Sequence, residues 1–176
     1  MVFFYNEYST KIVKYDLLNK FKYKSLYNIP FLETVILKFD FKVYDYKLLI
    51  KCLVILNLLS NKRCNIIKSK KSNLSLKLKK GLPIGCKVIL KKKKAFKFLI
   101  SLLNNSKILK NNFKVSCSNK QFSINLIILN VLNLPQIQSN YHFFKNINSL
   151  QIKLITTSKS YDELIYLLNS YKIKFI

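Results

Sequence analysis

The sequence is poor in glycine, and its two glycines, Gly81 and Gly85, lie four residues apart in the stretch KKGLPIGCKV at residues 79–88. Average proteins contain about 7% glycine, so two in 176 residues is a severe shortage. The shortage excludes the glycine-rich phosphate loops of P-loop and dinucleotide-binding proteins. We expect the two remaining glycines to serve a positive φ or a close backbone approach at a hairpin tip.

Histidine is nearly absent, since His142 is the only one. The four cysteines show no C-x-x-C spacing. A zinc site or a Ser-His-Asp triad is therefore not expected. The adjacent Asp162 and Glu163 are accounted for by a helix cap rather than by acid–base chemistry. We predict that the chain is no enzyme and holds no metal or cofactor. We also predict that its thiols are reduced, in a compartment that is not oxidising.

Acidic residues are few, 7 against 32 basic residues, which gives a net charge of +25. Between Asp45 and Asp162, 116 residues carry 23 basic residues and no acid. Because charges of one sign repel each other in a folded domain, this imbalance indicates a polyanionic partner. Nucleic acid is the leading candidate. A basic membrane-surface protein remains an alternative.

A long hydrophobic run is also missing. The longest apolar stretch, residues 48–59, is too short to span a bilayer and is interrupted by Lys51 and Asn57. Alanine and arginine occur once each, whereas residues with A/T-rich codons dominate. This bias indicates an A/T-rich genome, such as that of an organelle, a parasite or an endosymbiont.

Hydrophobic periodicity predicts a mixture of helices and strands. The expected elements are a helix at 5–20, a strand at 32–39, a helix capped by Asp45 and ending near Leu59, a hairpin of 74–79 and 86–90, a helix at 93–103, a β-prone run at 122–137, a strand at 150–157 and a last helix with a Ser160–Glu163 capping box. Strands and helices do not alternate steadily. We therefore predict a single α+β domain over residues 1–176, with a mainly antiparallel sheet backed by helices.

The same periodicity predicts which side chains form the core. The predicted buried residues are Leu32, Val35, Ile36 and Leu37 of the first strand, Leu48, Cys52, Ile55, Leu56 and Leu59 of the second helix, the leucines of 74–79, Cys86, Val88 and Leu90, and Phe96, Leu99, Ile100 and Leu103. Lys77 and Lys79 are expected on the solvent side of their strand.

Several ordered motifs resemble one protein family. The stretch at 60–90, SNKRCNIIKSKKSNLSLKLKKGLPIGCKVIL, matches without a gap the S-G-Q-K-P, K-A-[KR]-K-S and F-K-[IL]-R-x-G-x-P-I-G-C-K-V-T-L motifs of the universal large-subunit ribosomal protein number five. FKYKSLYNIPFLETVIL at 21–37, NLPQI at 133–137, LQIKLITTSKSYDELIYLL at 150–168 and the closing KIKF are similar to other family motifs in the same order. The resemblance covers nearly the whole chain.

The resemblance implies a fold and partners. The family has one α+β domain in a ferredoxin-like arrangement, like RNA-recognition modules. It binds 5S rRNA and neighbouring large-subunit rRNA in the central protuberance. Its G-x-P-I-G loop reaches the elbow of the P-site tRNA, and a second loop bridges to the head of the small subunit. Neighbouring ribosomal proteins are further implied partners, and a membrane is not. A non-ribosomal RNA-binding protein on the same fold remains an alternative. We expect a mitochondrial ribosome, with a plastid as the alternative.

The resemblance also implies site residues. The predicted rRNA-binding residues are Lys38, Lys62, Arg63, Lys68, Lys70, Lys71, Ser72 and Lys91. The predicted tRNA-contacting loop comprises Lys77, Lys79, Lys80, Gly81, Leu82, Pro83, Ile84, Gly85 and Lys87.

Positions of the family that contact 5S rRNA have changed here. They are Lys38, Lys62, Ile89, Lys91 and Gln151. Lysine is a point charge with little geometric selectivity, unlike the amides, hydroxyl and carboxylate that the family carries. We expect the 5S contact to be weak, remodelled or lost, and 5S rRNA to be a partner only where the organelle has one. The segment at 104–121 replaces the family's glycine-rich bridging loop. The sequence therefore does not predict whether the bridge to the small subunit is retained.

Overall fold

A computed structural model describes residues 7–41, 45–72, 74, 78–103, 113–118, 121–145, 147 and 149–171. The helices are a π-helical turn at Ser9–Val13 that continues into α1, Lys14–Lys20, then α2, Tyr46–Ser60, α3, Lys93–Leu103, α4, Pro135–Gln138, and α5, Tyr161–Ser170. The strands are β1, Leu32–Asp40, β2, Asn65–Lys68, β3, Pro83–Lys91, β4, Phe113–Ser118, β5, Gln121–Ile128, and β6, Leu150–Thr156. Single 3₁₀ turns lie at Leu26–Asn28, Val131–Asn133 and Tyr141–Phe144.

The six strands form one sheet in the order β2-β3-β1-β6-β5-β4. β2 pairs antiparallel with β3, and β4 with β5. The Phe41 N–H, just after β1, donates to the Ile84 carbonyl near the start of β3 at 2.9 Å. The Thr157 N–H, just after β6, donates to the Phe31 carbonyl just before β1 at 3.1 Å. Each of these bonds joins the end of one strand to the beginning of another, so the predicted antiparallel α+β fold is confirmed.

The chain divides into two compact units. The first comprises Met1–Val35, Leu90–Leu126 and Lys153–Ile176, and the second Ile36–Ile89 and Ile127–Ile152. In the first unit, Leu17, Leu99 and Leu167 are fully or almost fully buried. In the second unit, Leu37 and Ile55 are fully buried. The boundary between the units falls within β1, β3, β5 and β6. That the chain forms a single domain stays a prediction.

Side-chain chemistry explains where two helices begin. The Asp45 carboxylate accepts hydrogen bonds from the backbone N–H groups of Lys47 and Leu48, which caps α2 as predicted. At α5, the Ser160 hydroxyl accepts from the Glu163 N–H, and the Glu163 carboxylate accepts from the Ser160 N–H. The predicted capping box is therefore confirmed. The N-terminal helix was predicted from residue 5, but residues 5 and 6 lie outside the described residues.

Two predicted helix faces are rotated slightly. In α2 the buried residues are Leu49, Cys52, Ile55, Leu56 and Ser60, whereas Leu48 and Leu59 are half-buried. In α3, Leu102 is buried and Leu103 is half-buried. One residue corresponds to about 100° around a helix, so a stripe read from sequence can be displaced by a single position. In β1, Ile36 is half-buried rather than buried, while the rest of its prediction is confirmed.

The predicted hairpin has a different first strand. Cys86, Val88 and Leu90 are buried as predicted, but their hairpin partner is β2, with Asn65 opposite Lys87. Leu74, which was expected in the core, is 95% exposed, and Leu78, expected there too, is half-buried. The partner of β3 differs from the prediction because the segment that includes β2 pairs with it instead. This pairing continues past β2, where the Ser69 N–H donates to the Leu82 carbonyl. Residues 75–77 lie outside the described residues.

Two other predictions need correction. The segment at 104–121, expected to be a loop, contains β4, which gains its hydrogen bonds by pairing with β5. The β-prone run at 122–137 is not one strand, because β5 ends at Ile128. Its remainder forms a 3₁₀ turn and then α4, which begins at Pro135. Proline is suited to a first helical position because it lacks the N–H that would be unpaired there.

Candidate nucleic-acid interface

The connection between β2 and β3, residues 69–82, is closed at its base by backbone hydrogen bonds. The Ser69 N–H donates to the Leu82 carbonyl at 2.8 Å, and the Gly81 N–H donates to the Ser69 carbonyl at 3.0 Å. Gly81 has φ +91°, a conformation that other residues rarely adopt. We call residues 69–82 the basic loop. Its fixed base means that its cations extend from a defined position in the second unit.

The described lysines of the basic loop face solvent, as does Ser72. Lys70, Lys71, Ser72, Lys79 and Lys80 are exposed, and the Ser69 hydroxyl donates to the Lys71 carbonyl. Lys77, which belongs to the predicted tRNA-contacting loop, lies outside the described residues. Exposed ammonium groups beside a fixed loop base can approach phosphate oxygens at little desolvation cost.

Carboxylates do not neutralise these cations. The second unit has two acidic residues, Asp40 and Asp45. Asp45 caps α2, and the Asp40 Oδ2 lies 2.8 Å from the Lys38 Nζ. Within the described part of this unit, that is the one ion pair found. The exposed cations of the basic loop therefore remain available to an external anion.

Lys38 differs from the other predicted rRNA-binding residues. Its side chain is 40% exposed and the Asp40 side chain 37%. The two residues are two apart in β1, so they lie on the same face of the strand. An ion pair this exposed contributes little stability, but it reduces the charge that Lys38 offers to RNA.

Further cations lie near the ends of β2. Lys62 and Arg63, which follow α2, are exposed, and the Lys62 Nζ donates to the Ile89 carbonyl at 3.1 Å. Lys68 is exposed at the end of β2, opposite Pro83. The Lys62 contact fixes one end of its long side chain and leaves part of its donor capacity unused.

Lys87 and Asn65 form an exposed pair, of which only Lys87 was predicted from the sequence. They lie directly opposite each other in the β2–β3 ladder, and both are exposed. Opposite residues of an antiparallel pair point to the same face. Asn65 was not among the predicted site residues. The signal that would have found it is the pairing register, which the sequence of β2 alone does not contain.

The predicted tRNA-contacting loop contains residues with different roles. Gly81 lies in a turn and is exposed, whereas Leu82, Pro83 and Ile84 are half-buried. Gly85 is buried inside β3, where an added Cβ would overlap the Phe39 backbone carbonyl oxygen. The second glycine therefore serves strand packing and does not lie at a loop tip.

The other predicted cation, Lys91, belongs to the first unit. It is exposed at the end of β3. Lys92 follows with φ +49°, and Lys93 begins α3. Lysines 91–94 are all exposed. This unit therefore carries its own short basic segment.

The buried thiols offer no nucleophile at neutral pH. Cys52 and Cys86 are fully buried. Burial raises the pKa of the Cys52 thiol from 9.0 to about 12. Burial, followed by the neighbouring Cys52, Cys64 and Asp40, raises the pKa of the Cys86 thiol to about 12. Both thiols stay protonated and act as small core residues. Among the described residues, no helix has the length and apolar character needed to cross a membrane.

Proteins similar to this chain include large ribosomal subunit proteins named uL5 and uL5m. No protein-family model matches the sequence. Large ribosomal subunit protein uL5 of Geotalea uraniireducens is 31% identical, over 97% of each chain. The protein of the same name from Hamiltonella defensa is also 31% identical, over 97% of each chain. Large ribosomal subunit protein uL5m of Reclinomonas americana is 29% identical, over 93% of this chain and 92% of its own.

These full-length matches, together with the antiparallel α+β fold, define the class as a structural protein of the large ribosomal subunit. Within that class, the chain belongs to the family of large ribosomal subunit protein uL5.

Proposed function

We propose that this chain is a non-enzymatic constituent of the central protuberance, where it binds large-subunit rRNA. The observation that carries the proposal is the set of exposed cations, within the described part of the second unit, that have no carboxylate partner. The proposed rRNA-binding residues there are Lys62, Arg63, Lys68, Lys70, Lys71 and Ser72, together with Lys38, whose charge Asp40 partly offsets. Lys91 is the one in the first unit. We add Asn65, whose amide lies opposite Lys87 and can donate to or accept from RNA.

The proposed mechanism is electrostatic and geometric. Each ammonium that reaches a phosphate releases condensed counterions, and this release favours binding. Phosphate contacts position a protein on RNA without reading its sequence. The fixed base of the basic loop, between Ser69 and Leu82, supplies the position. 5S rRNA is a proposed partner where the organelle encodes one.

The second proposed contact is with the elbow of the P-site tRNA. The residues would be Lys77, Lys79, Lys80, the segment from Gly81 to Ile84, and Lys87. Lys79 and Lys80 are exposed next to the turn at Gly81. Gly85 belongs to the same motif, but its role is to admit β3 beside β1.

The proposed location is the mitochondrial ribosome. The A/T-rich codon bias supports an organellar genome, and one relative carries the mitochondrial name uL5m. Bacterial relatives are equally similar, so the compartment is part of the proposal.

Sedimentation tests this function. The tagged chain is expressed in its source cells, and the organellar lysate is separated on a sucrose gradient at low salt. We expect the tag in the large-subunit peak. Recovery of the tag with lipid, away from that peak, would show that the chain is a membrane-surface protein instead.

A further inference from the structure

Helix α2 carries an apolar ridge on its outer side. Tyr46 is 60% exposed, Ile50 44%, Val54 42% and Leu58 41%. These four residues are spaced four apart, so they form one line along the helix. We call them the α2 ridge. Single exposed apolar residues are common on soluble proteins, but a continuous line of them marks an interaction surface.

The α2 ridge is not needed to hold the helix in the fold. A different face of α2 is buried, and it includes Leu49, Cys52 and Leu56. The ridge is thus a second apolar face on the same helix. The described residues of the chain leave its four side chains exposed.

The shape of the ridge favours another helix over a lipid surface. Side chains spaced four apart form the ridges that pack into grooves of a partner helix. A helix that lies on a membrane presents a broad apolar face. Lys47 and Lys51 flank the ridge on one side, because each lies three residues before a ridge residue and residues three apart are neighbours on a helix surface. The other side is flanked by the half-buried Leu53 and the exposed Asn57. The apolar strip therefore has one basic edge.

The charge of the helix favours an acidic partner. Between Tyr46 and Ser60, α2 contains two lysines and no acidic residue. Lys47 is exposed, and Lys51 is half-buried beside the ridge. We propose that the α2 ridge docks an amphipathic helix of another protein, with apolar side chains spaced four apart and acidic residues along one edge.

This inference rests on the proposed function, which places the partner in the large ribosomal subunit. Val54 is replaced by the photo-crosslinking residue p-benzoylphenylalanine, and large subunits that contain the chain are purified and irradiated. We expect a cross-link to one protein segment with the stated pattern. The double substitution Ile50→Lys, Leu58→Lys should lower the cross-link yield about tenfold or more. Because Ile50 and Leu58 are exposed, the fold should survive.

The matched control is Ile12→Lys, which changes another exposed apolar residue, 47% exposed, in the first unit. It should leave the cross-link unchanged. A cross-link to RNA, a partner segment without acidic residues, or no cross-link would overturn the inference. Flotation of the free chain with phosphatidylglycerol vesicles, abolished by the double substitution, would assign the ridge to lipid and overturn it too. Absence of the chain from large subunits would refute the proposed function, and the inference with it.

Discussion

The backbone carbonyl oxygen of Phe39 in β1 occupies the space that a Cβ on Gly85 in β3 would need. Gly85 is therefore required by the contact between two strands. Gly81 is different, since nothing lies within 4 Å of its Cβ position and its φ is +91°. The chain has no other glycines, and its two are thus required for two separate physical reasons.

This difference predicts the effect of alanine at each glycine. Gly85→Ala should lower the free energy of unfolding by about 1–3 kcal/mol, because the strand backbone must shift to admit the methyl group. Gly81→Ala should cost about 1–2 kcal/mol through its backbone conformation alone. Urea titrations followed by circular dichroism give both values. A Gly85→Ala protein as stable as the parent would contradict the packing explanation.

The basic loop predicts a change in salt dependence. Replacing Lys70 and Lys71 by alanine should reduce the slope of log Kd against log salt concentration by about one per lost phosphate contact. The measurement is filter binding of the protein to large-subunit rRNA fragments at several salt concentrations. Lys11→Ala is the control, because Lys11 lies in the first unit and its Nζ is 3.7 Å from a Glu7 carboxylate oxygen. The salt slope of this variant should equal that of the parent. Equal slopes for the parent and the double variant would exclude phosphate contacts by these two lysines.

The buried thiols predict a loss of stability at alkaline pH. The folded pKa of Cys52 and Cys86 is about 12, against 9.0 without burial. Their contribution is fully present below pH 9 and is lost as pH rises towards 12, because the unfolded thiols release protons first. Each thiol contributes a slope of at most about 1.4 kcal/mol per pH unit in this window. Under reducing conditions, the free energy of unfolding should therefore fall more steeply between pH 9 and 12 in the parent than in a Cys52→Val, Cys86→Val variant. Identical pH profiles would show that these thiols do not contribute.

The cap of α2 predicts a moderate loss of stability. Asp45→Ala removes the acceptor for the Lys47 and Leu48 N–H groups, at 2.9 and 3.4 Å, and should cost about 1 kcal/mol. Asp45→Asn keeps an acceptor in the same position and should cost less. Thermal unfolding of both variants separates the cap from the change in charge. The capping assignment would be refuted if Asn and Ala were equally destabilising.

Local patterns were sufficient to predict much of the fold. The alternation of Cys86, Val88 and Leu90 predicted a strand with one buried face, because side chains alternate across a strand. Asp45 and Ser160 predicted two helix starts, because their oxygen atoms satisfy N–H groups that a helix leaves unpaired. These signals depend only on residues close together in the sequence.

Pairing between distant segments could not be predicted in the same way. β2 has four residues and almost no buried side chain, so its sequence does not indicate that it is the partner of β3. The Asn65–Lys87 pair follows from that register and was missed for the same reason. The Lys38–Asp40 ion pair could have been predicted, because residues two apart in a strand share a face.

Protein–RNA cross-linking in purified large subunits tests the central claim most directly. Ultraviolet irradiation followed by mass spectrometry identifies the amino acids that contact RNA. We predict that cross-linked peptides come mainly from residues 62–87, which contain the basic loop and Lys87. Cross-links confined to residues 7–33 of the first unit, with none from 62–87, would contradict the account.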